Sequence, residues 1–190
     1  MFARTKRLLL RPGWQEDAGA LAHAIGDEAV IRNLSRAPWP YGEADADAYL
    51  MRERDPRLPD FLIFSRTLGA PRLVGGCGIS PNEDGALELG YWIARLYWGL
   101  GFATEAARGV MGIARATGLS DIGAGHFLDN PASGNVLRKI GFRPTGKVLQ
   151  RYSAGRGATV PCALFEQGEE VAMPRDLHQI LYSDARPLAA

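Results

Sequence analysis

Leu87 to Ala114 reads LELGYWIARLYWGLGFATEAARGVMGIA, and the fold turns on how this stretch is read. It opens as an extended strand, with Leu87, Leu89, Tyr91 and Ile93 on one face and Glu88, Gly90 and Trp92 on the other. From Ala103 the apolar residues take helical spacing, which continues to Thr117. Between strand and helix stands Trp98-Gly99-Leu100-Gly101-Phe102-Ala103, a turn rich in small residues. Unpaired N–H groups at a helix start and the positive end of the helix dipole favour a phosphate or diphosphate there, and glycine lets the anion come close. A glycine pair that only makes a tight turn is the simpler reading, so the surroundings must decide.

Upstream lie two further strand candidates, Phe61 to Leu68 and Leu73 to Ser80, joined through Gly69-Ala70-Pro71 and through Pro81-Asn82-Glu83-Asp84-Gly85. Links this short favour an antiparallel meander. Before them, Thr5 to Pro12 (TKRLLLRP) reads as a first strand and Trp14 to Ile25 as a helix with one apolar stripe. Glu43 to Arg54 reads as a second helix, ended by Asp55-Pro56. Downstream come a strand at Ile122 to Leu128, a helix at Pro131 to Ile140, and closing strands at Arg143 to Tyr152 and Thr159 to Gln167, read as βαβαβ units. The expected fold class is α+β (mixed α/β): one mixed, largely antiparallel sheet of about seven strands with helices on both faces. Residues 1–167 form the expected domain; 168–190 form a C-terminal extension, with a short helix around Asp176 to Tyr182 and a loose tail.

Composition narrows the function. With 190 residues, 46% hydrophobic and 23% charged, the chain can bury a core without metal or disulfide. Lys and Arg number 22 against 21 Asp and Glu, a formal charge of +1, so no global field recruits nucleic acid or an anionic membrane. Cys77 and Cys162 stand far apart without CxxC or clustered His, which fits a reducing compartment and argues against a metal. The apolar run Leu8 to Leu10 is too short for a signal peptide, and no later run approaches a membrane span. A cytoplasmic protein is expected.

The glycine turn resembles motif A of the GNAT acyltransferases, whose R/Q-x-x-G-x-G/A segment binds the pyrophosphate of acetyl-CoA. The matching residues are Leu96-Tyr97-Trp98-Gly99-Leu100-Gly101, with Ala103-Thr104-Glu105-Ala106 following. Leu96 departs from the Arg or Gln of the motif, and Arg95 stands next to it. Asn130 to Phe142 (NPASGNVLRKIGF) resembles the N-x-x-S-x-x-V-L-x-K-x-G-F pattern of the Rim-type branch, the ribosomal-protein N-acetyltransferases and their relatives. Helix chemistry explains part of that pattern: Asn130 as cap, Pro131 at the first position, Gly141 and Phe142 as the stop. TKRLLLRP and Pro38-Trp39-Pro40-Tyr41 also look like this branch, so the resemblance covers roughly Thr5 to Gln167.

The resemblance implies a GNAT-like sheet and direct transfer of an acetyl group from acetyl-CoA, as cosubstrate and without a metal, to a primary amine. It places the cofactor against Tyr91, Trp92, Ile93, Trp98, Gly99, Leu100, Gly101, Ala103, Thr104, Asn130 and Ser133. Catalytic candidates are Glu88 as base, Ser133 as donor to the leaving thiolate, and His126 as proton relay, with Tyr152 a second proton donor. Each has a plainer alternative: a solvent-facing Glu, a first-turn Ser, a packed His. Cys77 is expected to be a buried thiol instead of a nucleophile. Trp39, Tyr41 and Phe61 are candidates for the acceptor pocket, with core packing the plainer reading of each, and Arg36, Arg151 and Arg156 could meet an acidic acceptor or be surface charge. The acceptor is an amine-bearing small molecule or a protein N-terminus; the assembly is open, a homodimer included. Two rivals remain: a non-catalytic acyl-CoA-binding module, and a dinucleotide-dependent oxidoreductase using Gly99-Leu100-Gly101 with Asp121.

Overall fold

A computed structural model of the protein describes residues 1–67 and 69–168. Leu68 and the expected helix around Asp176 to Tyr182 lie outside the described residues. The strands are β1 (Ala3–Arg4), β2 (Leu8–Arg11), β3 (Asp60–Ser65), β4 (Arg72–Pro81), β5 (Leu87–Ile93), β6 (Gly123–Phe127), β7 (Phe142–Ser153) and β8 (Ala158–Gln167). They form one sheet in the order β1-β2-β3-β4-β5-β6-β8-β7. The α-helices are α1 (Ala18–Ile25), α2 (Glu28–Ile31), α3 (Glu43–Met51), α4 (Phe102–Ala116) and α5 (Pro131–Lys139).

Eight strands stand where about seven were expected. The extra one, β1, has two residues and pairs with β2 through a turn whose Thr5 N–H donates to the Leu8 carbonyl, too short to show as a periodic run. The α2 turn was also missed, and α3 stops at Met51, three residues before the expected end, as the backbone becomes extended at Arg52. The meander from β2 to β5 is antiparallel throughout. The β5–α4–β6 crossover is parallel, but the second expected crossover does not bring β7 beside β6: β8 lies between them, antiparallel to both.

The sheet separates two apolar cores. Leu8, Leu10, Phe61, Ile63, Val74 and Ile79 pack against Phe102, Ala106, Val110 and Met111 of α4 and Leu137 of α5. On the other face Leu62, Phe64 and Leu73 pack against Leu21, Ile25, Ile31 and Leu50. The unbroken apolar run Phe61 to Phe64 follows from this, because β3 is covered on both sides. Each fully buried side chain of this size contributes about 2 kcal/mol. Of the aromatics weighed for the acceptor pocket, Phe61 takes its plainer reading and is buried in the α4-side core.

At one end of the sheet the β7–β8 turn is stapled to the α2–α3 connection. Ser153 Oγ donates to the Leu34 carbonyl at 2.9 Å, the Ala154 N–H to the Ser35 carbonyl at 2.8 Å, and Arg156 Nε to the Arg32 carbonyl at 2.6 Å. Arg156 also grips Asp129 through both terminal nitrogens, at 2.7 and 2.9 Å. Gly155 sits where a Cβ would run into Ile31 Cγ2 and stand 3.1 Å from the Ala37 carbonyl. Gly155→Val is therefore expected to cost about 1–3 kcal/mol of stability through overpacking, read as a lower urea midpoint with an unchanged slope.

Candidate functional site

The glycine turn forms as the chain leaves β5. Gly99 has φ 78° and Gly101 φ 79°, a left-handed conformation that costs a side chain energy, and Gly101 is the N-cap of α4. No side chain caps the helix, and its first backbone bond is the Glu105 N–H to the Gly101 carbonyl. The N–H groups of Phe102, Ala103 and Thr104 are thus left to an external acceptor.

Leu96 is 86% exposed and contributes no donor, while Arg95 is drawn aside, its guanidinium 4.3 Å above the Trp98 ring. Arg7 supplies the charge at the turn. Its Nη1 donates to the Leu100 carbonyl at 2.9 Å, and a Cβ on Gly101 would lie 3.5 Å from its Nη2. Glu105 holds it there, accepting from Arg7 Nε at 2.7 Å, from the Arg7 N–H at 2.7 Å and from Thr5 Oγ1 at 2.6 Å. Burial works against the Glu105 carboxylate, but the bonds from Thr5 and Arg7 outweigh it and hold its pKa below the ordinary glutamate value. Arg7, Gly101, Thr104, Arg108 and Lys139 line a cleft of about 590 Å³ over this helix start.

Beside the turn the sheet opens. β5 and β6 pair at only two positions, Glu88 with Gly123 and Leu89 with Ala124, whereas β5 pairs with β4 along its whole length. From Gly90 onward the strands part, so alternate backbone groups of Gly90 to Ile93 face a gap. The Ile93 carbonyl is taken by the Trp98 indole N–H at 2.6 Å. Trp92 packs its side chain against the core on the α1–α3 face and turns its backbone to Gly76 of β4, so the groups left for the gap are those of Tyr91 and Ile93.

The two faces of β5 carry different chemistry at this gap. On the α5 side the Tyr91 hydroxyl donates to the Ser133 carbonyl at 3.0 Å and shares a 2.8 Å hydrogen bond with Ser133 Oγ. Burial pushes the Tyr91 phenol up, so it stays neutral. Asn130 Oδ1 accepts the Ser133 N–H at 3.3 Å, capping α5. On the opposite side Glu88 is not a free carboxylate. Arg151 Nη1 lies 2.8 and 3.0 Å from its two oxygens, and Gly90, two residues along, has open space where a side chain would be.

Of the other predicted residues, His126 stays beside α5 next to Ser133, Arg151 stays with Glu88, and the rest separate from this group. His126 points to the α5 side of β6: its Nδ1 donates to the Phe127 carbonyl at 2.8 Å, its ring lies 5.5 Å from Phe165, and a Cβ on Gly134 would stand 2.6 Å from Nε2. The structure does not bring it to Glu88. Tyr152 is 55% exposed on β7, one residue past Arg151 and so on the opposite face. Cys77 is buried in the α4-side core, where desolvation pushes its thiol up. Of the three arginines, Arg151 is paired with Glu88, Arg156 with Asp129, and Arg36 donates to the Pro81 carbonyl at 2.7 Å. Tyr41 is half-buried, and burial raises its phenol to about 12; Trp39 is exposed.

Residues 7–143 match the Acetyltransferase (GNAT) domain family. The chain belongs to the GNAT acetyltransferase family. It is 44% identical over 161 residues to a Bacillus subtilis (strain 168) protein named as an uncharacterized N-acetyltransferase, YoaA, covering 80% of this chain and 88% of that one. Among solved structures, a GNAT acetyltransferase from Bacillus anthracis superposes with TM-score 0.73 at 22% identity, over 87% of this chain and 97% of that one. RimL, a ribosomal L7/L12 alpha-N-protein acetyltransferase in complex with coenzyme A, superposes with TM-score 0.71 at 17% identity, over 88% of this chain and 97% of that one. The GNAT assignment displaces the oxidoreductase reading, and Asp121, which carried it, sits exposed before β6.

Two features escaped the sequence reading, Arg7 at the turn and the Glu88–Arg151 pair. The first had a faint signal, since TKR and the first-turn Glu105 are complementary, but 98 residues separate Arg7 from Glu105. Among the described residues no helix is long and apolar enough to cross a membrane, and no group of three or more His, Cys, Asp or Glu is placed to hold a metal ion. Because the folded pKa of Glu105 lies below its unfolded one, its stabilisation is complete above the ordinary value of 4.5 and is lost as pH falls through the folded value. Glu105→Gln is therefore expected to lower the urea midpoint at neutral pH and to flatten its fall in acid.

Proposed function

We propose that this GNAT protein moves the acetyl group of acetyl-CoA directly onto the primary amine of a small molecule or a protein N-terminus, in the cytoplasm. The observation that carries the reading is the parting of β5 and β6 after Leu89, opening onto the uncapped start of α4. The residues fit the donor: free N–H groups at Ala103 and Thr104, left-handed Gly99 and Gly101, and Arg7 suit its diphosphate. The gap along Tyr91, Trp92 and Ile93, with Asn130 at its rim, suits an extended arm that carries amide groups of its own.

In this scheme the thioester carbonyl lies in the gap, where an N–H of the Gly90 to Ile93 segment takes the developing oxyanion. Glu88 on one face accepts the proton of the incoming ammonium, which at neutral pH holds it firmly at a pKa of ~10. Ser133 on the other face donates to the departing thiolate, with the Tyr91 proton turned from the Ser133 carbonyl to Ser133 Oγ so that the serine proton is free. A homodimer belongs to the same proposal: β7 ends the sheet and leaves Val148, Leu149 and Tyr152 about half exposed, an edge that a second copy would cover.

Release of free CoA thiol from acetyl-CoA across a panel of amines tests the activity. Gly101→Glu is expected to abolish acetyl-CoA binding by calorimetry, because a carboxylate would occupy the anion site; unchanged affinity would remove the cradle from the scheme. Glu88→Gln is expected to keep donor affinity and to lose kcat/KM most at low pH, approaching wild type as the pH nears the amine's own pKa of ~10. A rate that matches wild type at every pH would take Glu88 out of the chemistry.

A further inference from the structure

We infer that the acceptor carries a carboxylate beside its amine, as an α-amino acid does, and that the Glu88–Arg151 pair is what recognises it. This rests on the acetyl-transfer reading with Glu88 as the base. Glu88 and Arg151 belong to β5 and β7, strands separated by β6 and β8, and their side chains meet across the sheet face. β6 presents Gly125 on the surface between them, beside the small buried thiol of Cys162, so no large side chain stands there. A Cβ at that position would stand 3.4 Å from Glu88 Oε1 and 2.9 Å from Cys162 Sγ.

The pair is not closed on itself. A guanidinium that locks a carboxylate does so with two parallel N–H bonds, one from each prong of its fork. Here Nη1 alone bridges both oxygens, and the remaining Arg151 donors meet no hydrogen-bond partner among the described residues. The two side chains keep 20% and 26% of their surface exposed, so a ligand can reach both. The neighbouring cations are committed elsewhere, Arg32 and Arg156 to Asp129 and Arg36 to the Pro81 carbonyl.

A simple ammonium ion fits this arrangement poorly, because the guanidinium beside Glu88 offsets the attraction that would draw the amine in. A carboxylate on the same molecule removes the conflict. It takes the unused N–H groups of Arg151 and leaves Glu88 with a single cation to hold, the substrate's own ammonium. One negative and one positive group side by side are complementary to a zwitterion, and not to a polyamine or to a peptide terminus whose neighbouring carbonyl is an amide.

Transfer then balances. Glu88 takes one proton from the ammonium; the nitrogen lone pair forms the C–N bond at the thioester carbonyl, and the C–S bond breaks with its electron pair leaving on sulfur. Ser133 protonates that thiolate and is reprotonated, through water, by the second proton leaving nitrogen. The products are an N-acetylamino acid and free CoA, with the proton on Glu88 passing to solvent.

The test measures kcat/KM by release of free CoA thiol for α-amino acids, for their carboxamides with the same side chains, and for peptides beginning with the same residues. Wild type is expected to prefer the free acid by at least about tenfold, the scale of one charge-assisted contact. Arg151→Gln is expected to bring that ratio to about one while acetyl-CoA binding is retained, and Arg151→Lys to restore part of it. Equal use of acid and carboxamide by wild type overturns the inference, and needs no variant to fold; so does a preference that survives Arg151→Gln. Transfer to carboxamides or peptides but not to free acids overturns it and leaves acetyl transfer standing. No release from any amine overturns acetyl transfer and the inference together.

Discussion

The site depends on a hydrogen-bond ladder that stops early. β5 is paired with β4 along its length but with β6 at only two positions, and everything the site offers lies where the second ladder ends. Backbone groups facing a gap must find partners in water or in a ligand, since leaving them bare is costly. An arm bearing amides satisfies them as a third strand would. The parting is steadied on one side by α5, whose first turn ties to Tyr91 through Ser133, and on the other by the β7–β8 turn fastened to the α2–α3 connection. Both α4 and α5 follow the strands that diverge, so both helix starts lie at the open end.

Charge in the protein is spent locally, in keeping with a net value of +1. Asp129 collects Arg32 and Arg156 and fastens the turn that roofs one side of the gap. Glu105 collects Thr5 and Arg7 and delivers a guanidinium to a helix start whose motif position holds Leu96. The cation expected within the turn comes instead from Arg7, in the turn just before the second strand of the sheet. The Glu88–Arg151 pair differs from these in leaving donors of its guanidinium unused among the described residues.

Much of the molecule was legible along the chain because its causes are local. Alternation identified β5 and its two faces; the left-handed glycines marked the start of α4; Asn130 and Pro131 marked the start of α5. Periodicity located seven of the eight strands within a few residues and missed β1 and α2, which are too short to show a period. Which core Phe61 enters was not legible, because a strand covered on both faces carries no alternation to say which residues point to which core. The surroundings of His126 were equally illegible: its face on β6 follows from pairing with β8, a strand that begins 32 residues later.

By itself the amino-acid order determined the elements, the diphosphate-type turn and the family resemblance, since each is built from residues within a few positions of one another. Only the tertiary structure decided that β8 would insert between β6 and β7, that Arg7 would stand at Gly101, and that Glu88 would meet Arg151. The physical reason is the same in each case. These contacts join residues 35 to 98 positions apart, and they come into being only when strand order and register are set by the packing of two cores at once.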